Sequence, residues 1–246
     1  MTWGDPSAAR TALLVHGVGS TAALMWRIGT ALAENGWLAT AVDLRGHGDA
    51  PRTLDYTIAA YASDLGATAP EHGGAWDVVI GHSLGGASSI VASAANPAWT
   101  KRLVPIDPAI VVSDAQAEEI ATSLAATAAN PPTAAELQEA NPRWHPLDAE
   151  LKALAVQGAT AWSLTQTMRQ NRPWDVRGEA AAQQVPTHVI AADPAQPDAL
   201  FAGPIAEEVL ASNPLITSSF VAGAGHSPHR DAPEAFLTEL FAALGQ

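Results

Sequence analysis

The chain has no cysteine. Disulfides, thiolate metal sites and a cysteine nucleophile are therefore excluded. Basic residues are scarce: 12 lysines and arginines stand against 25 acidic residues, a formal net charge of −13. That balance argues against a nucleic-acid partner, because phosphate contacts need a basic face. Lysine occurs only at Lys101 and Lys152 while alanine abounds, a compositional bias without functional content. No apolar run approaches the ~20 residues of a membrane span. The opening Met1-Thr2-Trp3-Gly4-Asp5 has neither a basic cluster nor an apolar signal segment. The expectation is a cytoplasmic protein, monomer or homodimer, that acts on a small molecule, with no membrane or nucleic-acid partner.

What is present centres on one stretch. Trp76-Asp77-Val78-Val79-Ile80 is apolar and rich in β-branched residues, Gly81-His82-Ser83-Leu84-Gly85 follows, and an alanine-rich helical pattern comes next. Strand, tight turn and helix in that order form the setting in which a G-x-S-x-G motif becomes meaningful. The turn strains the serine backbone and requires small neighbours two places away on either side, here Gly81 and Gly85. It lifts the Ser83 hydroxyl clear of the sheet. It also leaves the Leu84 N–H free at a helix start, where the dipole favours negative charge.

The rest of the chain alternates around this turn. Residues 11–16 read as a buried strand ending in His16-Gly17-Val18-Gly19-Ser20, with a helical pattern over 22–35. Glycines between strand and helix suit an anion site made of backbone N–H groups, and equally a plain turn. Neither a dinucleotide fingerprint nor a phosphate loop is present, and no cofactor is expected. Further strands are expected at 37–42, 77–80, 102–106, 187–192 and 215–221, and helices at 57–68, 83–95, 203–212 and 233–244. Such alternation implies a mostly parallel sheet covered on both faces.

Between 109 and 184 the pattern changes. No strand is convincing there, and helical stretches at 115–129, 133–140 and 147–172 are broken by prolines. This segment reads as a helical lid inserted over the carboxyl ends of the strands. The domain organisation is then a core of residues 1–108 and 185–246 with a lid of residues 109–184. Its Trp144, Trp162, Leu164 and Met168, with Trp26 near the glycine loop, are candidates to contact a largely apolar or aromatic substrate. Taken one at a time, such side chains more often seal a lid against its core.

Taken together, His16-Gly17, Asp43-Leu44-Arg45-Gly46-His47-Gly48, Gly81-His82-Ser83-Leu84-Gly85 and Gly225-His226 resemble the α/β-hydrolase superfamily, over nearly the whole chain. The two antiparallel strands that commonly open that fold have little room before Thr11. The resemblance implies that Ser83 is the nucleophile and His226 the general base, with the backbone N–H groups of Val18 and Leu84 as the oxyanion hole. The chemistry agrees, since a serine hydroxyl needs an imidazole to take its proton. His229 is the one rival base, and it is expected to begin the last helix. The third member is open. The usual family position follows the strand at 187–192, where Asp193 is close but displaced and Asp198 lies further on. A second branch of the superfamily places its acid after the preceding strand, which selects Asp107, the preferred assignment.

The resemblance implies a carboxylesterase-type serine hydrolase working through an acyl-enzyme. Lactone, amide or carbamate hydrolysis could use the same residues. Lyase, perhydrolase and cofactor-free oxygenase chemistry, or a ligand receptor, are the readings from other classes.

Overall fold

A computed structural model describes all 246 residues. The first strand, β1 (Thr2–Trp3), is followed by β2 (Arg10–Val15), a 3-10 helix (Ala22–Met25), α1 (Trp26–Glu34), β3 (Trp37–Val42) and α2 (Ile58–Gly66). Then come β4 (Val78–His82), α3 (Leu84–Ala95) and β5 (Leu103–Ile106). The central segment holds β6 (Val111–Val112), α4 (Asp114–Ala129), α5 (Ala134–Ala140), α6 (Pro146–Gly158), α7 (Ala161–Arg169), β7 (Trp174–Asp175) and α8 (Arg177–Ala181). The chain closes with β8 (Thr187–Ala191), α9 (Gly203–Ser212), β9 (Ile216–Phe220), α10 (Pro228–Asp231) and α11 (Pro233–Leu244). No helix is long and apolar enough to cross a membrane.

The main sheet has seven strands in the order β1-β3-β2-β4-β5-β8-β9. All its pairings are parallel except that of β1 with β3, in which Thr2 faces Thr40. The antiparallel opening of the sheet is thus one strand of two residues. Alternation along β2 divides the core between the two faces. Leu13 and Val15 pack with Tyr61, Leu65 and Ile90 of α2 and α3, while Ala12 and Leu14 pack with Ile28, Leu32, Phe236 and Leu240 of α1 and α11. Burial on both faces is what makes these parallel strands read as continuous apolar runs. Each such leucine contributes about 1.5–3 kcal/mol when fully buried.

Residues 109–184 leave this sheet and return to it. Two expectations for the segment are corrected. It does contain strands, since Val111 and Val112 pair antiparallel with Asp175 and Trp174, a ribbon too short to show a period in the sequence. The helix expected over 147–172 is two helices. Ala159 is extended, and the Thr160 hydroxyl accepts from the Ser163 N–H to start α7. Ser113 and Thr133 begin α4 and α5 with reciprocal capping boxes through Gln116 and Glu136. His229 also departs from expectation: it lies in the separate one-turn helix α10, not in α11.

The sheet order sets the position of the site. From β2 the chain steps to β3 on one side and then crosses to β4 on the other. The loops leaving β2 and β4 therefore diverge, and a crevice opens at their carboxyl ends.

Four histidines, His16, His47, His82 and His229, are buried in this framework. His16 ties two loops together, its Nδ1–H donating to the Gly17 carbonyl at 2.7 Å while Nε2 accepts from the Leu44 N–H at 3.0 Å. Burial pushes His47 down to about 4 and holds His16, His82 and His229 well below the ordinary imidazole value. In the unfolded chain each takes up a proton near 6.5. The unfolded state therefore binds more protons below that pH, and stability is lost as pH falls from about 6.5 toward 4. Urea midpoints measured from pH 8 to pH 4 are expected to decline in this window. His47→Gln is expected to flatten the decline by up to ~1.4 kcal/mol per pH unit, one proton's worth.

Candidate active site

Two residues other than glycine have a positive φ in the whole chain, Ser83 at 52° and Asp107 at 37°. They end the adjacent strands β4 and β5, which pair through His82 and Ile106. Such backbone costs about 1–3 kcal/mol per residue and persists only where surrounding bonds enforce it. Those bonds are present. The Ser83 N–H donates to the Ile106 carbonyl at 3.0 Å, and the Asp107 N–H donates to Ile190 at 3.0 Å.

The turn at Ser83 depends on bare backbone beside it. A Cβ on Gly81 would lie 2.5 Å from the Gly85 carbonyl oxygen, and one on Gly85 would lie 2.5 Å from the His16 carbonyl oxygen. Gly85 thus lets α3 start directly against the loop that follows β2. Val18 lies in that loop, and its N–H makes no hydrogen bond. Leu84 is the first residue of α3, where an N–H has no intrahelical acceptor. Both N–H groups expected to hold an oxyanion are therefore free donors.

Asp107 is fully buried. Its Oδ1 accepts from the N–H groups of Ala192 and Phe201 at 3.2 and 3.1 Å, and its Oδ2 from that of Leu200 at 3.0 Å. The remaining place on Oδ2 is taken by His226 Nδ1 at 2.7 Å. A carboxylate at Nδ1 makes that nitrogen the protonated one and leaves Nε2 with its lone pair. The backbone of His226 is held as well. Its N–H donates to Asp198 at 3.0 Å, and its carbonyl accepts from His82 Nε2 at 2.8 Å. The Ser83 hydroxyl makes no hydrogen bond to the protein, nor does His226 Nε2.

The alternative acid is occupied elsewhere. Asp193 accepts from the Ala195 N–H at 2.9 Å and the Gly223 N–H at 2.7 Å, which join the loops after β8 and β9. These backbone bonds hold its carboxyl below the usual range. The rival histidine, His229, is buried with neither ring nitrogen bonded, its ring centroid 4.7 Å from that of His82.

The apolar candidates separate. The Leu164 side chain reaches the glycine loop, about where a Cβ on Gly19 would touch it, and Leu124 of α4 does the same. Met168 packs into the core with Ala117, Ala121 and Trp174. Trp26 donates its Nε1–H to Asp148 at 2.8 Å, and Trp144 donates to Asp231 at 2.8 Å. Trp162, in the first turn of α7, is 54% exposed.

Three contacts near the site were not foreseen from the sequence, although Asp198 was noted there as a more distant acid. Asp198 and His82 both grip the His226 backbone, and Lys152 of α6 donates to the Gly19 carbonyl at 2.6 Å. The His82 side chain had a visible neighbour in Ser83, but its partner is 144 positions away. A surface cavity of about 510 Å³ lies elsewhere, among Arg102, Thr187, His188, Leu215 and Glu239 at the amino ends of β8 and β9. No catalytic constellation faces it. Ser83 itself is only 6% exposed.

The sequence model of the alpha/beta hydrolase family matches residues 12–239. Lipase LipV of Mycobacterium tuberculosis is 32% identical over 144 residues, which cover 58% of this chain and 54% of the lipase, about half of that relative's length. E-2-(acetamidomethylene)succinate hydrolase superposes with a TM-score of 0.81 at 22% identity, over 100% of this chain and 94% of that one. A thermophilic esterase from Thermogutta terrifontis gives 0.77 at 21% identity, over 99% and 91%. At such identities the two structures share the fold.

The close approach at Gly85 has a direct test. Gly85→Ala forces backbone apart and is expected to cost about 1–3 kcal/mol in denaturant unfolding. Gly158→Ala, where nothing lies within 4 Å of the added carbon, is the control and is expected to be neutral or mildly stabilising.

Proposed function

The chain belongs to the alpha/beta hydrolase family, and from that premise we propose that it is a serine hydrolase of the carboxylesterase type, cleaving an ester or related acyl bond of a small substrate with an apolar body. The observation that carries the proposal is the 2.7 Å bond from His226 Nδ1 to the buried Asp107, at a strand end next to that of Ser83.

In this reading Ser83 Oγ attacks the acyl carbon and His226 Nε2 takes its proton. The bond between them forms as substrate enters, since such contacts are often long before binding. Asp107 orients the imidazole and stabilises the imidazolium that develops. The N–H groups of Val18 and Leu84 receive the oxyanion, each contributing on the order of 3 kcal/mol. His226 then gives the proton to the leaving alcohol. The acyl-enzyme is released by water activated at the same Nε2. A lactone, amide or carbamate would pass through the same acyl-enzyme. Asp193 serves as a turn clamp.

Residues 109–184 act as the lid. Leu124 and Leu164 bring an apolar surface over the glycine loop, which suits an apolar group next to the reacting carbonyl.

A fluorophosphonate is expected to label the protein at Ser83, and Ser83→Ala to abolish the label. Absence of label on the unaltered protein would reject the proposal. With p-nitrophenyl butyrate, Asp107→Asn is expected to lower kcat by roughly 10⁴-fold, as expected when the base loses its orienting carboxylate. Asp193→Asn is expected to lower the unfolding midpoint with kcat within a few-fold. The reverse pattern would exchange the two assignments.

A further inference from the structure

Of the twelve lysines and arginines, Arg230 alone donates no side-chain hydrogen bond. It is also 4% exposed. A buried guanidinium without an acceptor is costly, so its retention calls for a reason. Arg230 lies on α10, four residues beyond His226, with its guanidinium carbon 5.2 Å from the centre of the Trp144 ring.

Two carboxylates are near enough to favour its charge, Asp148 and Asp231. Neither binds it. Asp148 accepts from Trp26 at 2.8 Å and Arg27 at 3.5 Å. Asp231 accepts from Trp144 at 2.8 Å and from the Gly225 N–H at 2.9 Å. Each of these four carboxylate oxygens already has a donor. Lys152 of α6 is near enough to feel the charge of Arg230, and its one acceptor is the Gly19 carbonyl. Burial and the charge of Arg230 hold Lys152 down to about 7. Three cations, Arg27, Lys152 and Arg230, thus share the region with two carboxylates, and two of the three have no acid of their own. The charge of Arg230 is also felt at His16 and His82, which flank the glycine loop and Ser83.

We infer that Arg230 and Lys152 form an anion subsite beneath α6, and that the substrate carries a carboxylate there, at the end remote from the acyl bond. The Arg230 fork suits the two oxygens of a carboxylate, and the Lys152 ammonium adds a point charge. The inference rests on the serine-hydrolase reading of Ser83 and adds a polar end to the apolar body proposed above.

Two ester pairs of matched shape test it. Mono-p-nitrophenyl glutarate is compared with p-nitrophenyl valerate for a carboxylate on the acyl side, and 4-acetoxybenzoate with phenyl acetate for one on the alcohol side. Rates are corrected with Ser83→Ala. In at least one pair the carboxylated ester is expected to be preferred in kcat/KM by roughly tenfold or more, as for a charge-assisted bond. Arg230→Met is expected to collapse that ratio and Arg230→Lys to keep part of it. No preference in either pair, or a preference that survives Arg230→Met, overturns the subsite.

Binding is read independently of turnover. Glutarate, but not glutaramide, is expected to raise the Tm of the unaltered protein, by preferential binding to the folded state. No shift with glutarate overturns the subsite even if Arg230→Met fails to fold. Absence of fluorophosphonate labelling at Ser83 would defeat the hydrolase reading alone, because the glutarate shift does not require the nucleophile.

Discussion

A carboxylate with no access to water joins the end of β5 to the loops that follow β8 and β9. Asp107 sits just past the carboxyl end of β5, on a backbone conformation that aspartate rarely adopts, with three N–H groups and one imidazole around it. A buried charge left unpaired would cost several kcal/mol. Each of its partners is therefore also a constraint on the loop that supplies it. Ala192, Leu200 and Phe201 fix the loop after β8, and that loop supplies Asp198, which fixes the N–H of His226. The orientation of the imidazole is the last step of a sequence that begins with the charge of one side chain.

The same logic explains which parts of the fold were legible in the sequence. Val78-Val79-Ile80 and Leu13-Leu14-Val15 announce strands because both faces of the sheet are covered. Gly81 and Gly85 announce a turn because backbone passes backbone there. The two-residue strands β1, β6 and β7 are silent, since two residues cannot display a period of two. The break between α6 and α7 was written in Gly158-Ala159-Thr160, but a capping threonine inside an alanine-rich run looks like ordinary helix. Asp107 and Asp193 were hard to rank because both end neighbouring strands at the same edge of the sheet. What distinguishes them is which carboxylate His226 Nδ1 reaches, a property of the folded chain. Arg230 and Lys152 gave no signal at all. A basic residue between histidine and aspartate reads as surface until burial is known.

Residues 109–184 join the core through Ile110, Val112, Ala117, Met168 and Trp174, which share its main apolar cluster, and through polar contacts near the site. Lys152 reaches the glycine loop, Trp144 and Arg143 reach the segment around His226, and Asp148 holds Trp26 and Arg27 of α1. Net hydrogen bonds contribute only about 1 kcal/mol each. Such ties position the segment near the site and are individually cheap to release, while the apolar packing of α4 and α7 anchors it to the core. The tie at Gly19 matters most for the proposed chemistry, because it fixes the loop whose Val18 N–H is one of the two free donors.

On net charge alone, −13 makes this protein a poor host for an anion. Distance and dielectric decide otherwise. Surface carboxylates act through water, where salt screens them beyond about 10 Å. A carboxylate placed against a buried guanidinium interacts across ~4 Å of low-dielectric interior, where the same pair of charges attracts several times more strongly than in water. The acidic surface lowers the rate of encounter with an anion, whereas Arg230 and Lys152 would govern how tightly one is held once inside. A single unpaired guanidinium under a cover can therefore outweigh many exposed acids. Its burial keeps the guanidinium short of acceptors and so makes the proposed subsite selective.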